Sequence, residues 1–132
     1  MNGFDLVLEK KVFKAELQDI ISNSFNIPLM SIVITDDYIE SPLTEDIKIW
    51  CMLNEIDGDF LMLCQFFIRD NSIIYSIESI SKKLSYFFNC KCLIPDDSIN
   101  PLKWIMIFPN GEKKTIFLDS SKLDNDIYVI SN

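Results

Sequence analysis

Ser72-Ile73-Ile74-Tyr75-Ser76-Ile77-Glu78-Ser79-Ile80-Ser81-Lys82-Lys83-Leu84-Ser85-Tyr86-Phe87-Phe88 is the stretch whose spacing decides the fold. Ile73, Ile74, Ile77, Ile80, Leu84, Phe87 and Phe88 recur at intervals of three and four, which gathers them on one face of a helix. Glu78, Lys82, Lys83 and serines take the other face. The chain then runs through Cys90 to Ile94, breaks at Pro95-Asp96-Asp97, and resumes as two alternating segments around Asn110-Gly111, a strong hairpin signal. An amphipathic helix must bury its stripe, and the strands that follow are its natural cover.

The same order occurs upstream. Phe4, Leu6 and Leu8 alternate with Asp5, Val7 and Glu9, the period of a strand. Over residues 12–25 the period changes to that of a helix, with Phe13, Leu17, Ile20 and Ile21 on one stripe and a stop before Pro28. Residues 31–35 form a β-branched strand ended by Asp36-Asp37, and residues 38–46 lack periodicity and read as an exposed loop. Two further strands, 47–55 and 60–68, flank the turn Ile56-Asp57-Gly58-Asp59. The second is apolar on both faces, so it is central or covered on its second face. Residues 127–130 suggest a last strand. Helix, strand ending in Asp-Asp, loop and glycine-turned hairpin thus occur over 12–68 and again over 72–118. Phe25-Asn26 aligns with Phe88-Asn89, Trp50 with Trp104, and Gly58 with Gly111. The expectation is one α+β domain over residues 1–132, with a mainly antiparallel sheet of six to eight strands. Two main helices should lie on one face of it, compatible with a duplicated αβββ unit.

Composition narrows function mainly by exclusion. A chain of 132 residues with 48% hydrophobic content buries a core without metal or disulfide. Twenty acidic residues against twelve basic ones give a net charge of −8. Nucleic acid and anionic membrane surfaces both call for a basic face, so neither is an expected partner. A cationic protein is. No leader-like apolar segment opens the chain and no apolar run approaches the roughly 20 residues that span a bilayer, so a soluble, cytoplasmic protein is expected.

Histidine is absent, which removes imidazole bases, Ser-His and Cys-His catalysis, and imidazole metal ligands together. Cys90-Lys91-Cys92 lacks the second pair of a zinc site, and Cys51 and Cys64 lie in apolar segments, so all four cysteines read as reduced core residues. Three glycines supply no phosphate-binding loop. Asp36-Asp37 and Asp96-Asp97 have the chemistry to hold a divalent cation, but aspartates also end strands by bonding their own backbone in turns. No enzyme activity, metal or cofactor is expected.

Size, acidity, element order, and Ile94-Pro95-Asp96-Asp97-Ser98-Ile99-Asn100-Pro101 with Trp104 together resemble small bacterial immunity proteins. These are the cognate inhibitors of polymorphic toxins, including those of contact-dependent growth inhibition. The resemblance implies a cytoplasmic protein that binds a toxin domain, often a cationic nuclease. It carries over no functional residue. A second resemblance, to acidic type III secretion chaperones that hold an effector segment as homodimers, competes with it. Such chaperones end in a third helix, where this chain reads as strand and turn. A homodimer stays open. The expected contact surface is Asp36, Asp37, Tyr38, Glu40, Glu45, Asp46, Asp96 and Asp97, acids gathered at one end of the sheet around an aromatic anchor, with the Asp57–Asp59 tip as an alternative.

Overall fold

Strand Met62–Ile68 is the one around which the computed structural model is built; the structure describes residues 2–36 and 43–131. Its residues alternate buried and half-buried along the whole length, and it pairs on both sides, antiparallel to Asn2–Leu8 and to Ile49–Glu55. That explains the apolar residues on both its faces.

In chain order the elements are β1 (Asn2–Leu8), α1 (Lys14–Phe25), a 3₁₀ turn (Leu29–Ser31), β2 (Ile32–Thr35), β3 (Ile49–Glu55), β4 (Asp57–Gly58) and β5 (Met62–Ile68). There follow α2 (Ile77–Phe88), β6 (Cys92–Pro95), β7 (Lys103–Ile107), β8 (Lys113–Leu118), α3 (Ser120–Leu123), β9 (Ile127–Tyr128) and β10 (Ile130–Ser131). Eight strands form one sheet in the order β10-β8-β7-β6-β1-β5-β3-β2, and β4 pairs with β9 separately. The architecture is α+β in a single domain. Every pair in the main sheet is antiparallel except β2 with β3.

The two halves occupy corresponding places, β8-β7-β6 on one side of β1 and β5-β3-β2 on the other. They differ in one strand. β6 is antiparallel to β7, whereas β2 is parallel to β3. Residues 36–48 make a connection long enough to return the chain to the end where β2 began, which a parallel pair requires.

Both long helices lie on the same sheet face. Leu17 and Ile21 of α1 and Ile80, Leu84 and Phe88 of α2 join Phe4, Leu6, Leu8, Cys51, Cys64, Phe66 and Cys92 in one core. Phe4 stacks on Phe66 with ring centroids 4.8 Å apart. Two expected core positions move outward. Phe13 is 78% exposed, because it is the N-cap residue of α1, with extended backbone, and not part of its first turn. Helix α2 begins at Ile77, since the Ser76 side chain accepts the Ser79 N–H and caps it there. Ile73 therefore packs on the core from the preceding loop, Ile74 is exposed, and Phe87 is half-exposed on the helix.

A second, smaller core lies on the opposite face. Val7, Leu93, Met106, Ile116 and Leu118 meet Ile56, Phe60 and Tyr128 there. The cover is a C-terminal lobe that the periodicity does not show, built on α3, whose first-turn Lys122 N–H is accepted by Asp119 at 3.0 Å. The tip of the β3–β5 hairpin closes over it. Asp59 N–H donates to the Tyr128 carbonyl at 2.8 Å, and Ile130 N–H donates to Asp59 Oδ2 at 2.9 Å. Gly58 sits at φ 108°, where an added Cβ would lie 2.5 Å from the Tyr128 carbonyl oxygen.

Candidate partner-binding surface

The acids expected to cluster are divided between two ends of the sheet. Asp36 follows β2, which is parallel to β3, so it lies at the Glu55 end beside Asn54 and Met62. Its carboxylate accepts a hydrogen bond from Lys14 Nζ at 2.6 Å. Glu45 and Asp46 precede β3 and lie at the other end, about 20 Å away for strands of this length. Asp96 and Asp97 follow β6, which runs antiparallel to β1, so they too lie at the Asn2 end. Asp36 does not share an end with Asp96 and Asp97, because β2 and β6 run in opposite senses. Asp37, Tyr38 and Glu40 fall outside the described residues.

At the Asn2 end the carboxylates are engaged in local turns. Asp96 Oδ1 accepts the Ser98 N–H at 2.8 Å, and its other oxygen is 3.7 Å from Lys103 Nζ. Asp70 accepts the Ser72 N–H and hydroxyl, and lies 3.6 Å from Lys48 Nζ. Asp46 accepts the Thr44 hydroxyl. Those bonds hold the Asp46 and Asp70 carboxyls below the usual range, Thr44 being the main cause for the first and Ser72 for the second. Arg69, the sole arginine of the chain, donates to the carbonyls of Leu43, Thr44 and Ile47 and fixes the turn that carries Glu45. Between these segments lies an open cleft of about 560 Å³ lined by Glu45, Ile47, Lys48, Arg69, Asp70 and Asn71. Glu45 and Asp97 are exposed on that end.

The Asp57–Asp59 tip is taken up by the second core's closure. Its acids are exposed, but Asp59 is committed to Ile130 and the backbone to β9.

One carboxylate that periodicity did not single out stands apart. Asp5 is on the face opposite the helices, directly across from Gln65 in the register, and it is half-buried. Burial pushes its carboxyl above the usual range, and no hydrogen bond or cation engages it among the described residues. Tyr128, at the rim of the C-terminal lobe, is close enough that Asp5 helps raise its phenol, after burial and Asp126. A shallow trough of about 330 Å³ lies over Gly3, Asp5, Gln65 and Phe67, among other residues of β1 and β5. Gly3 is obligatory here, since a Cβ would lie 2.3 Å from the Phe66 carbonyl oxygen. The β1–β6 ladder stops after Val7↔Leu93, and Pro95, next in line to face Asp5, brings no N–H to extend it.

The cysteines are structural. Cys51, Cys64, Cys90 and Cys92 are free and buried in the helix-side core. Burial raises the thiols of Cys51, Cys90 and Cys92, which keeps them protonated and unreactive at neutral pH. Among the described residues no group of three or more Cys, Asp or Glu side chains is placed to hold a metal ion. No described helix is long and apolar enough to cross a membrane. In comparisons with known proteins, no family model matches the chain, nor does any curated sequence or solved structure.

Proposed function

We propose that this protein is an immunity-type inhibitor that neutralises a basic toxin domain by charge-complementary, non-covalent binding. The supporting observation is the unbalanced charge on its surface. The six ion pairs among the described residues engage only Asp36, Glu55, Asp70, Glu78 and Asp96, in a chain carrying twenty acids. A cationic partner gains from that excess both in encounter rate and in the complex. Glu45, Asp97 and the Asp5 trough all lie toward the Asn2 end of the sheet. That end is therefore the better contact surface, and Asp36 is remote from it. The absence of histidine and the sequestered thiols favour binding over catalysis.

The test is co-expression in bacteria with a basic toxin domain found encoded beside this gene. Restored growth and a one-to-one complex are expected. Continued killing with both proteins present and soluble removes the immunity reading. A soluble complex with an effector segment, and a homodimer in its absence, would point to the chaperone.

A further inference from the structure

We propose that Asp5 is the receptor for an arginine side chain of the protein's basic partner; this deepens the binding reading above. A half-buried carboxylate opposes folding unless something offsets its desolvation. Within the described chain nothing does, although lysines serve other acids at that end of the sheet, Lys103 pairing with Asp96 and Lys48 with Asp70. The trough has the shape for a flat cation. Gly3 leaves its floor at backbone level, and Phe67, directly opposite Gly3 in the register, presents an aromatic ring at its side. That ring is held by stacking on Trp50, with centroids 4.8 Å apart. Gln65 Oε1 accepts from Asn54 Nδ2 at 2.9 Å, and no hydrogen bond joins Gln65 to Asp5 among the described residues, so both Asp5 oxygens stay available. Guanidinium matches these features better than ammonium, because it pairs with a carboxylate through two parallel N–H bonds while its face lies on an aromatic ring.

The experiment is a titration of ¹⁵N-labelled protein with Nα-acetyl-arginine amide, followed by amide chemical shifts, with Nα-acetyl-lysine amide at equal ionic strength as the comparison. Saturable shifts centred on Gly3, Asp5, Gln65 and Phe67 are expected with arginine, and weaker ones with lysine. Asp5→Asn should lower the arginine affinity about tenfold, the loss of a charge-assisted hydrogen bond, while Asp46→Asn leaves it unchanged. Phe67→Leu, which keeps the site apolar but removes the ring, should abolish the preference for arginine. Shifts spread evenly over exposed acids, or an unchanged affinity in Asp5→Asn, overturn the proposal. The two readings fail separately. If the wild-type chain protects cells and Asp5→Asn protects equally, the receptor is wrong and the immunity function stands. If the wild type does not protect, the function is wrong, and the titration still decides the site.

Discussion

Asn26 and Asn89 end the two long helices in the same left-handed conformation, at φ 56°, ψ 51° and φ 51°, ψ 51°. The likeness extends to their neighbours. Ser22 Oγ donates to the Ile27 carbonyl at 2.6 Å, and Ser85 Oγ donates to the Cys90 carbonyl at 2.5 Å. Each pair also carries the reverse main-chain bond, from Ile27 N–H to Ser22 and from Cys90 N–H to Ser85. Each helix is thus stopped by one device, a serine four residues before an asparagine that tolerates positive φ. Asn89→Ala should destabilise by about 1 kcal/mol and Asn89→Gly by less, because only the alanine is strained there. Urea unfolding of the two variants checks the order, and a larger loss for glycine would contradict it.

Ile80 is buried on the sheet-facing stripe of α2, whereas Ile77 is only partly so. Ile80→Ala should cost about 2–5 kcal/mol, and Ile77→Ala clearly less. Equal losses would mean that the helix is rotated relative to the sheet.

Thiol accessibility gives an independent reading of the core. The native protein should react negligibly with a thiol-specific chromogenic reagent at neutral pH, and all four cysteines should react after denaturation. A fast-reacting native thiol would place at least one cysteine outside the core.

Much of this fold is legible in local pattern, and the misses have local causes too. The central position of β5 follows from a strand apolar on both faces. The end of α1 follows from the stop ahead of Pro28, and the alignment of Phe25-Asn26 with Phe88-Asn89 matches the ends of both helices. The start of α2 does not, because Ile73 and Ile74 satisfy the helical period while the Ser76 cap decides the boundary. The direction of β2 is set by the connection after it, which has no periodicity to read. The pattern therefore puts Asp36 and Asp96 together, whereas they lie at opposite ends. Asp5 is hidden from pattern because one acid in an alternating strand reads as a solvent-facing residue. Tyr128, from the far end of the chain, comes close to it, and the sequence hint is Gly3 breaking an otherwise bulky strand.

Asp5 also predicts a pH dependence. Its folded-state pKa is raised, so the ionised form opposes folding above that pKa. The opposition fades as pH falls through the folded value and is gone below the ordinary aspartate value of 3.8. Asp5→Asn should therefore be more stable than the wild type at neutral pH, with a gap that narrows on acidification. Asp46, Asp70, Glu78 and Asp119 act in the opposite sense. Their hydrogen bonds, chiefly to Thr44, Ser72, Lys113 and Ser121, lower their pKa values, and that stabilisation is lost as pH falls through them. They are common to both proteins, so the difference isolates Asp5. Tyr128 is the titratable group of the lobe that comes near it, and a gap that does not change with pH would contradict the assignment to Asp5.

If charge draws this protein onto a basic partner, as proposed, the association rate with a candidate basic toxin domain should depend on salt. Association should be fast at low ionic strength and fall steeply as salt rises, with a shallower slope once Asp5, Glu45 and Asp97 are replaced by their amides. An association rate that ignores salt, or a slope that the triple replacement leaves unchanged, would contradict it.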